Sequence, residues 1–148
     1  AFVIGFPGET KDTIQENIDF LNTYDVDFYS TKEFYYMPHT DIHRDREKYA
    51  LTGMGNKWSH STMNSDEASE MKTFMFRNVK KSIFLDPDTS LWYLAYLYDQ
   101  GFNFDQIKDC QRIMNDMMLD EMNGQFDGKE PHLNRLAEVM ERSRISID

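Results

Sequence analysis

The opening of the chain limits its fold more than any other segment. Ala1-Phe2-Val3-Ile4-Gly5 is a short apolar run that stops at the turn Gly5-Phe6-Pro7-Gly8. An apolar run of that length, bounded by turn residues, reads as a buried strand. Thr10 follows as a helix N-cap, with Asp12 in the first turn. Ile14, Ile18 and Leu21 then recur at i, i+4 and i+7, among Gln15, Glu16 and Asp19. That spacing is one apolar stripe on a helix of about three and a half turns, and Tyr24-Asp25 ends it. Val26 to Met37 is dense in aromatic and β-branched residues, so at least its second half is expected as a strand. Strand, helix, strand predicts a βαβ unit with parallel strands and a right-handed crossover. The first third is therefore expected to belong to an α/β sheet or barrel.

Pro38 to Asn64 reads as a long irregular stretch holding three of the four histidines. A loop of that length in a compact domain is usually functional or disordered. Its patch Lys57-Trp58-Ser59-His60-Ser61-Thr62-Met63 is too apolar for a floppy linker and is expected to pack down as a short strand. Beyond it the pattern is helical. Ser65 is placed to cap a helix reaching about Phe84, with Met71, Phe74, Met75, Val79 and then Ile83 as its buried stripe. Asp86-Pro87 restarts the chain, and proline suits a helix entry. Leu91 to Tyr98 is apolar nearly all round, which predicts a buried helix, and Gly101 stops it. Asp105 to Met122 is a third helix faced by Ile107, Cys110, Met114, Met117 or Met118, and Met122. Asn123-Gly124 and Asp127-Gly128 form turns. A last helix from about Pro131 to Arg144 uses Leu133, Leu136, Val139 and Met140. The expected class is α/β to α+β, with residues 1–64 as one part and 65–148 as a helical extension.

Charge excludes some functions. Sixteen basic against 26 acidic residues give a net charge of −10 in 148 residues. A surface so acidic repels phosphate backbones, so nonspecific nucleic-acid binding is not expected. No apolar run reaches the roughly 18 residues of a membrane span, and no signal-peptide pattern opens the chain. Hydrophobic residues make up 40%, enough for a packed core and too many for a disordered chain. One cysteine, Cys110, cannot form a disulfide within the chain. A reducing cytoplasm is the default compartment. The first residues read as the middle of a strand with no lead-in, so a piece of a longer polypeptide is expected.

Three sets of residues could carry chemistry. Gly5 to Thr10 joins a strand to a helix, where close backbone approach and a helix N-terminus favour an anionic group. It lacks the Gly-Lys-Ser/Thr of a phosphate-binding loop and the GxGxxG of a dinucleotide fold. His39 and His43, with Asp41 between them, could join His60 around a metal if the loop allowed it. His60, among Trp58, Thr62 and Met63, is also a candidate for proton transfer or for holding a substrate oxyanion. The methionines of the third helix could form an adaptable peptide groove or plain core. Cys110 on the same face reads as an inert buried thiol.

Phe2-Val3-Ile4-Gly5-Phe6-Pro7-Gly8-Glu9-Thr10 and the helix after it resemble a hallmark of radical S-adenosylmethionine (SAM) enzymes, above all the B12-binding group. The segment Phe34-Tyr35-Tyr36-Met37-Pro38-His39-Thr40-Asp41-Ile42 resembles that group's last barrel strand and exit turn, with Asp41 in place of the usual second proline. Gly53 to Met63 is similar to a Trp-x-His-x-Thr-Met element of proteins resembling phosphinate P-methyltransferases. The resemblance covers residues 1 to about 64. It implies the closing part of a partial (β/α)6 barrel, in an enzyme that cleaves SAM reductively and methylates carbon or phosphorus with cobalamin. It also implies that Val3, Ile4, Gly5, Phe6, Pro7, Gly8 and Glu9 line the SAM pocket, with Val3, Ile4 and Gly5 toward the adenine. Tyr35, Tyr36 and Trp58 are the substrate-side candidates and His60 the catalytic one. Strand alternation lets only one of Val3 and Ile4 face inward.

The family holds its [4Fe–4S] cluster on a Cys-x3-Cys-x2-Cys loop. One cysteine cannot complete that ligand set. The resemblance therefore implies that the cluster ligands, and any cobalamin domain, lie outside this chain, and that the chain is not catalytic alone. Its expected partner is the N-terminal half of the barrel, and its substrate a small molecule or peptide. An open strand edge would favour self-association. Two other readings stand beside this one: a non-catalytic helical interaction module, and a histidine-metal hydrolase.

Overall fold

A computed structural model describes residues 1–86, 90–125 and 130–142 of the chain. These divide into two compact units, Ala1–Ser82 and Ile83–Asp148. Pro87, the Asp127-Gly128 turn and Arg144 lie outside the described residues.

The first unit opens with β1 (Phe2–Ile4), α1 (Lys11–Thr23), β2 (Phe28–Tyr29) and β3 (Thr31–Glu33). β1 and β3 pair in parallel, with Phe2 opposite Thr31 and Ile4 opposite Glu33. The strand–helix–strand unit has the expected parallel sense, but the strands after α1 run Phe28–Tyr29 and Thr31–Glu33, ending earlier than the second half of residues 26–37 expected as strand. α1 carries the expected cap: the Thr10 side chain accepts from Thr13 N, Thr13 answers to Thr10 N, and Asp12 sits in the first turn. Ile14, Ile18 and Leu21 are its buried residues, as the i, i+4, i+7 spacing requires.

The long loop is more ordered than its composition implies. A short helix α2 (Asp41–Arg44) is capped by Thr40. Then β4 (Thr52–Met54) and β5 (Lys57–Ser59) form an antiparallel hairpin with Gly53 opposite Trp58. Gly55-Asn56 is its two-residue turn, a length typical of hairpins. Strand β5 was legible as a packed patch; its partner β4 was not. Tyr36 exchanges backbone hydrogen bonds with Gly55, at 2.9 and 2.8 Å, and so ties the hairpin to the end of β3.

α3 (Ser65–Asn78) differs from expectation in three ways. Its cap is Asn64, not Ser65: Asn64 Oδ1 accepts from Asp66 N and Glu67 N, and Glu67 returns a bond to Asn64 N. It stops at Asn78 rather than near Phe84, because the Asn22 side chain takes the Lys80 and Lys81 amides and accepts no further turn. Its buried face is Ala68, Met75 and Phe76, while Met71 and Phe74 are half-exposed. α3 packs on β1, β3, β5 and α1. It therefore belongs with the first unit, whose end is Ser82 and not Asn64.

The second unit holds β6 (Ile83–Phe84), α4 (Ser90–Asp99), α5 (Phe104–Met122) and α6 (Glu130–Arg142). Asn103 caps α5 through a box with Gln106. Cys110, Ile113 and Val139, flanked by Phe102 and Leu136, form the core between α5 and α6. Asp120 Oδ2 meets His132 Nε2 at 2.9 Å along the same seam. α4 is not the buried helix its apolarity implied. Leu97 is buried, yet Trp92 is 90% exposed and Tyr96 and Tyr98 are exposed beside it. Among the described elements α5 is its main neighbour, and the contact buries Leu97 while Trp92, Tyr96 and Tyr98 stay in solvent. The methionine face of α5 is corrected too. Ile107, Cys110, Gln111 and Ile113 are buried, while Met118 and Met122 are exposed. On α6, Val139 is buried but Leu133 and Met140 are exposed.

Candidate functional site

Three of the segments singled out in the sequence, residues 2–10, 34–36 and 58–60, meet at the end of β1; the methionine face of α5 belongs to the second unit. Ile4 is fully buried on the face of the strand pair that α3 covers. Val3 turns the other way and is 51% exposed, as alternation requires. Gly5 follows with φ +85. Its N–H donates to Glu9 Oε2 at 2.5 Å, and its carbonyl lies 3.0 Å from His60 Nε2. Phe6 then emerges half-exposed, Pro7 is buried, Gly8 is exposed and Glu9 is half-buried.

The hairpin supplies the other wall. Trp58, buried on β5, donates from Nε1 to Phe34 O at 2.8 Å. Its indole lies so close to Gly5 that a Cβ there would come within 2.5 Å of Cη2. The His60 imidazole stacks on the same indole, with centroids 5.1 Å apart and planes 3° from parallel. Phe34 meets Phe6 and Trp58 edge-on at 5.4 and 5.3 Å and stacks on Tyr36 at 6.3 Å. Tyr36 is buried, and its hydroxyl lies 2.8 Å from His43 Nδ1. Aromatic pairs in these edge-on and offset geometries add about 0.5–1.5 kcal/mol each beyond their burial.

The expected site residues therefore separate. Val3 and Phe6 are the apolar side chains at the end of β1 that remain open, and Tyr35, on the segment after β3, is exposed. Ile4 and Pro7 are turned into the core, and both polar atoms of Gly5 are engaged within the chain. Tyr36 and Trp58 are wall, not surface. His60 is 7% exposed, and Thr62 N and Oγ1 approach its Nδ1 at 3.3 and 3.2 Å. Neither ring nitrogen is open to a substrate as the chain is placed here. His60 also stands apart from the other histidines of the loop. His39 and His43 approach each other, with ring centroids 6.5 Å apart. Among the described residues no group of three His, Cys, Asp or Glu side chains could hold a metal ion.

Electrostatics at the turn centre on Glu9. Burial pushes its carboxyl above the ordinary value, and the Gly5 N–H opposes that shift in part. Two residues of the site were not singled out by sequence reasoning: Phe34, the hub of the aromatic contacts, and Ala68, whose Cβ faces Gly5. The signal for Phe34 was its place in the aromatic run. For Ala68 it was a small residue on the buried stripe of α3.

The second unit has a cavity of about 220 Å³ lined by Phe84, Leu85, Tyr93, Gln111, Met114 and Met118. The Asn115 amide braces it by pairing with the backbone of Phe84, nitrogen to oxygen at 3.1 Å and oxygen to nitrogen at 2.9 Å. Cys110 is buried nearby on α5, and burial and then the Asp109 charge push its thiol up. No helix among the described residues is long and apolar enough to cross a membrane. Comparison with protein-family models, with curated proteins and with solved structures returned no match.

Proposed function

We propose that this chain is the closing βα segment of a radical SAM barrel with a helical extension, from a cytoplasmic enzyme that cleaves SAM reductively and methylates its substrate with the help of cobalamin. The observation that carries this reading is the parallel β1–β3 pair, sheathed by α3 on the Ile4 face and open on the Val3 face. A barrel strand has that asymmetry, with helices outside and a working cavity inside. Val3, and not Ile4, is then the residue toward the cavity. Phe6, half-exposed just past the strand's end, is a second open apolar side chain suited to a flat base held by contact, and Lys32 stands opposite Val3 in register. Gly5 contributes its close backbone and no hydrogen bond. Covered by the rest of a barrel, such a wall would also suit radical chemistry, because it excludes the solvent that diverts a reactive intermediate.

Cluster ligation does not fit these residues. Cys110 is the one cysteine, buried on a helix of the second unit. No step through a cluster is derived from this chain, whose residues bind and shape.

The test uses the polypeptide of the complete reading frame. After anaerobic reconstitution with iron and sulfide, it is assayed for 5′-deoxyadenosine released from SAM. Release that falls on Val3→Asp, with the cluster spectrum unchanged, is the expected result. A frame without a Cys-x3-Cys-x2-Cys segment, or a reconstituted protein that leaves SAM intact, overturns the reading.

A second reading, a helical interaction module, draws on the exposed Trp92, Tyr96 and Tyr98 of α4. Aromatic side chains of this kind are enriched where partners dock. It gains ground if the complete frame proves to lack cluster cysteines.

A further inference from the structure

We infer that His60 is a positioning residue. Its neutral ring, with the proton on Nε2, is the clasp by which the β4–β5 hairpin sets the Gly5 peptide and hence the direction of Phe6.

Two contacts determine the protonation state. Nδ1 lies 3.3 Å from Thr62 N. A backbone N–H can only donate, so Nδ1 presents its lone pair. Nε2 lies 3.0 Å from Gly5 O. A carbonyl oxygen can only accept, so Nε2 carries the hydrogen. Of the two neutral tautomers and the imidazolium, one form satisfies both. The Thr62 hydroxyl, 3.2 Å from Nδ1, adds a second donor to the same lone pair.

The ring plane is set independently. Trp58 lies under the imidazole and is itself pinned through Nε1 to Phe34 O. The hairpin thus delivers a hydrogen-bond donor to one side of Gly5, while Glu9 delivers an acceptor to the other. With its carbonyl and its N–H both held, Gly5 keeps its left-handed φ, and Phe6 is carried outward against Phe34. Residues 55 positions apart in sequence therefore fix one peptide. The clasp stands on these contacts alone; its bearing on SAM binding rests on the proposed function.

Nitrogen-15 spectra of the imidazoles in the full chain at neutral pH test the inference without any substitution. The expected signature of His60 is a protonated Nε2 and a bare Nδ1. An imidazolium, or a proton on Nδ1, overturns it. A substitution pair asks whether the donor matters beyond packing. His60→Gln can still present an N–H toward Gly5 O, and His60→Leu cannot. His60→Leu removes the donor to the Gly5 carbonyl; the Gly5 amide, held by Glu9 in the same turn, reports the loosening of that turn and is expected to exchange about five- to tenfold faster, the worth of one net hydrogen bond. His60→Gln is expected to restore slow exchange. Equal exchange in the two variants overturns the role. Should His60→Leu fail to fold, the wild-type imidazole spectrum decides the matter.

Discussion

Gly5 and Gly8 bracket the same turn and both have positive φ, +85 and +99. Their surroundings differ. A methyl group at Gly5 meets Trp58 Cη2 at 2.5 Å and Ala68 Cβ at 2.8 Å, whereas one at Gly8 meets nothing within 4 Å. Gly8→Ala is therefore expected to cost the backbone term alone, about 1–2 kcal/mol. Gly5→Ala adds a clash with two packed side chains, for a total of about 3–5 kcal/mol. Urea denaturation of the two variants checks the ordering. Glu9 makes a second prediction at this scale. Its folded carboxyl titrates above the ordinary 4.5, so the folded chain keeps a proton that the unfolded chain has lost. Its contribution to stability is full below 4.5 and is lost as pH rises through the raised value. Asp25 has the opposite sign. The Lys81 hydrogen bond and charge hold it below the ordinary 3.8, so its contribution is present above that value and is lost as pH falls through the lowered one. Glu9→Gln is expected to flatten the stability profile just above pH 4.5 and leave the Asp25 limb in place. Denaturation midpoints over that range measure both.

At the scale of elements, α4 carries the sharpest contrast. Its apolar composition belongs to a core helix, but its neighbours bury one stripe. Leu97→Ala is expected to cost about 2–3 kcal/mol, as buried leucine truncations do. Trp92→Gln, at a residue 90% exposed, is expected to stay within about 0.5 kcal/mol. Thermal melts of the two variants measure the difference. Tryptophan quenching offers a second view, since Trp92 is open to a soluble quencher and Trp58, 4% exposed, is not. On α5, the thiol of Cys110 is buried between α5 and α6 and its pKa is raised. Labelling by a thiol reagent at neutral pH is expected to be slow and to accelerate under denaturant to the rate of a free cysteine. Fast labelling of the native chain would mean that the α5–α6 seam opens readily.

For the molecule as a whole, the decisive quantity is one cysteine against the three thiolates that the resemblance requires. This 148-residue chain, reconstituted anaerobically by itself, is expected to retain no stoichiometric iron–sulfur cluster, and Cys110→Ser is expected to change nothing. An absorbance spectrum and an iron count check both statements. A stoichiometric cluster on this chain would show that ligands other than a cysteine triad operate and would remove the reason for placing the cluster elsewhere.

Much of the local structure was legible because it depends on neighbours in sequence. The cap at Thr10, the stripe of Ile14, Ile18 and Leu21, and the parallel strands flanking them follow from capping chemistry, from helical spacing and from the length of a crossover. The role of His60 was not legible, since it depends on a carbonyl 55 residues away. Nor was the burial of Trp58 against Gly5, the early end of α3 under the Asn22 side chain, or the exposure of α4. Composition reports what a segment is able to bury; which part of it is buried depends on the neighbour that arrives. The sequence by itself determined the cap and apolar stripe of α1, the parallel sense of the strands beside it, and that this chain cannot hold an iron–sulfur cluster on a cysteine triad. Tertiary structure alone decided which side of β1 stays open and which polar atoms of the turn are already engaged, because both are set by contacts between residues far apart along the chain.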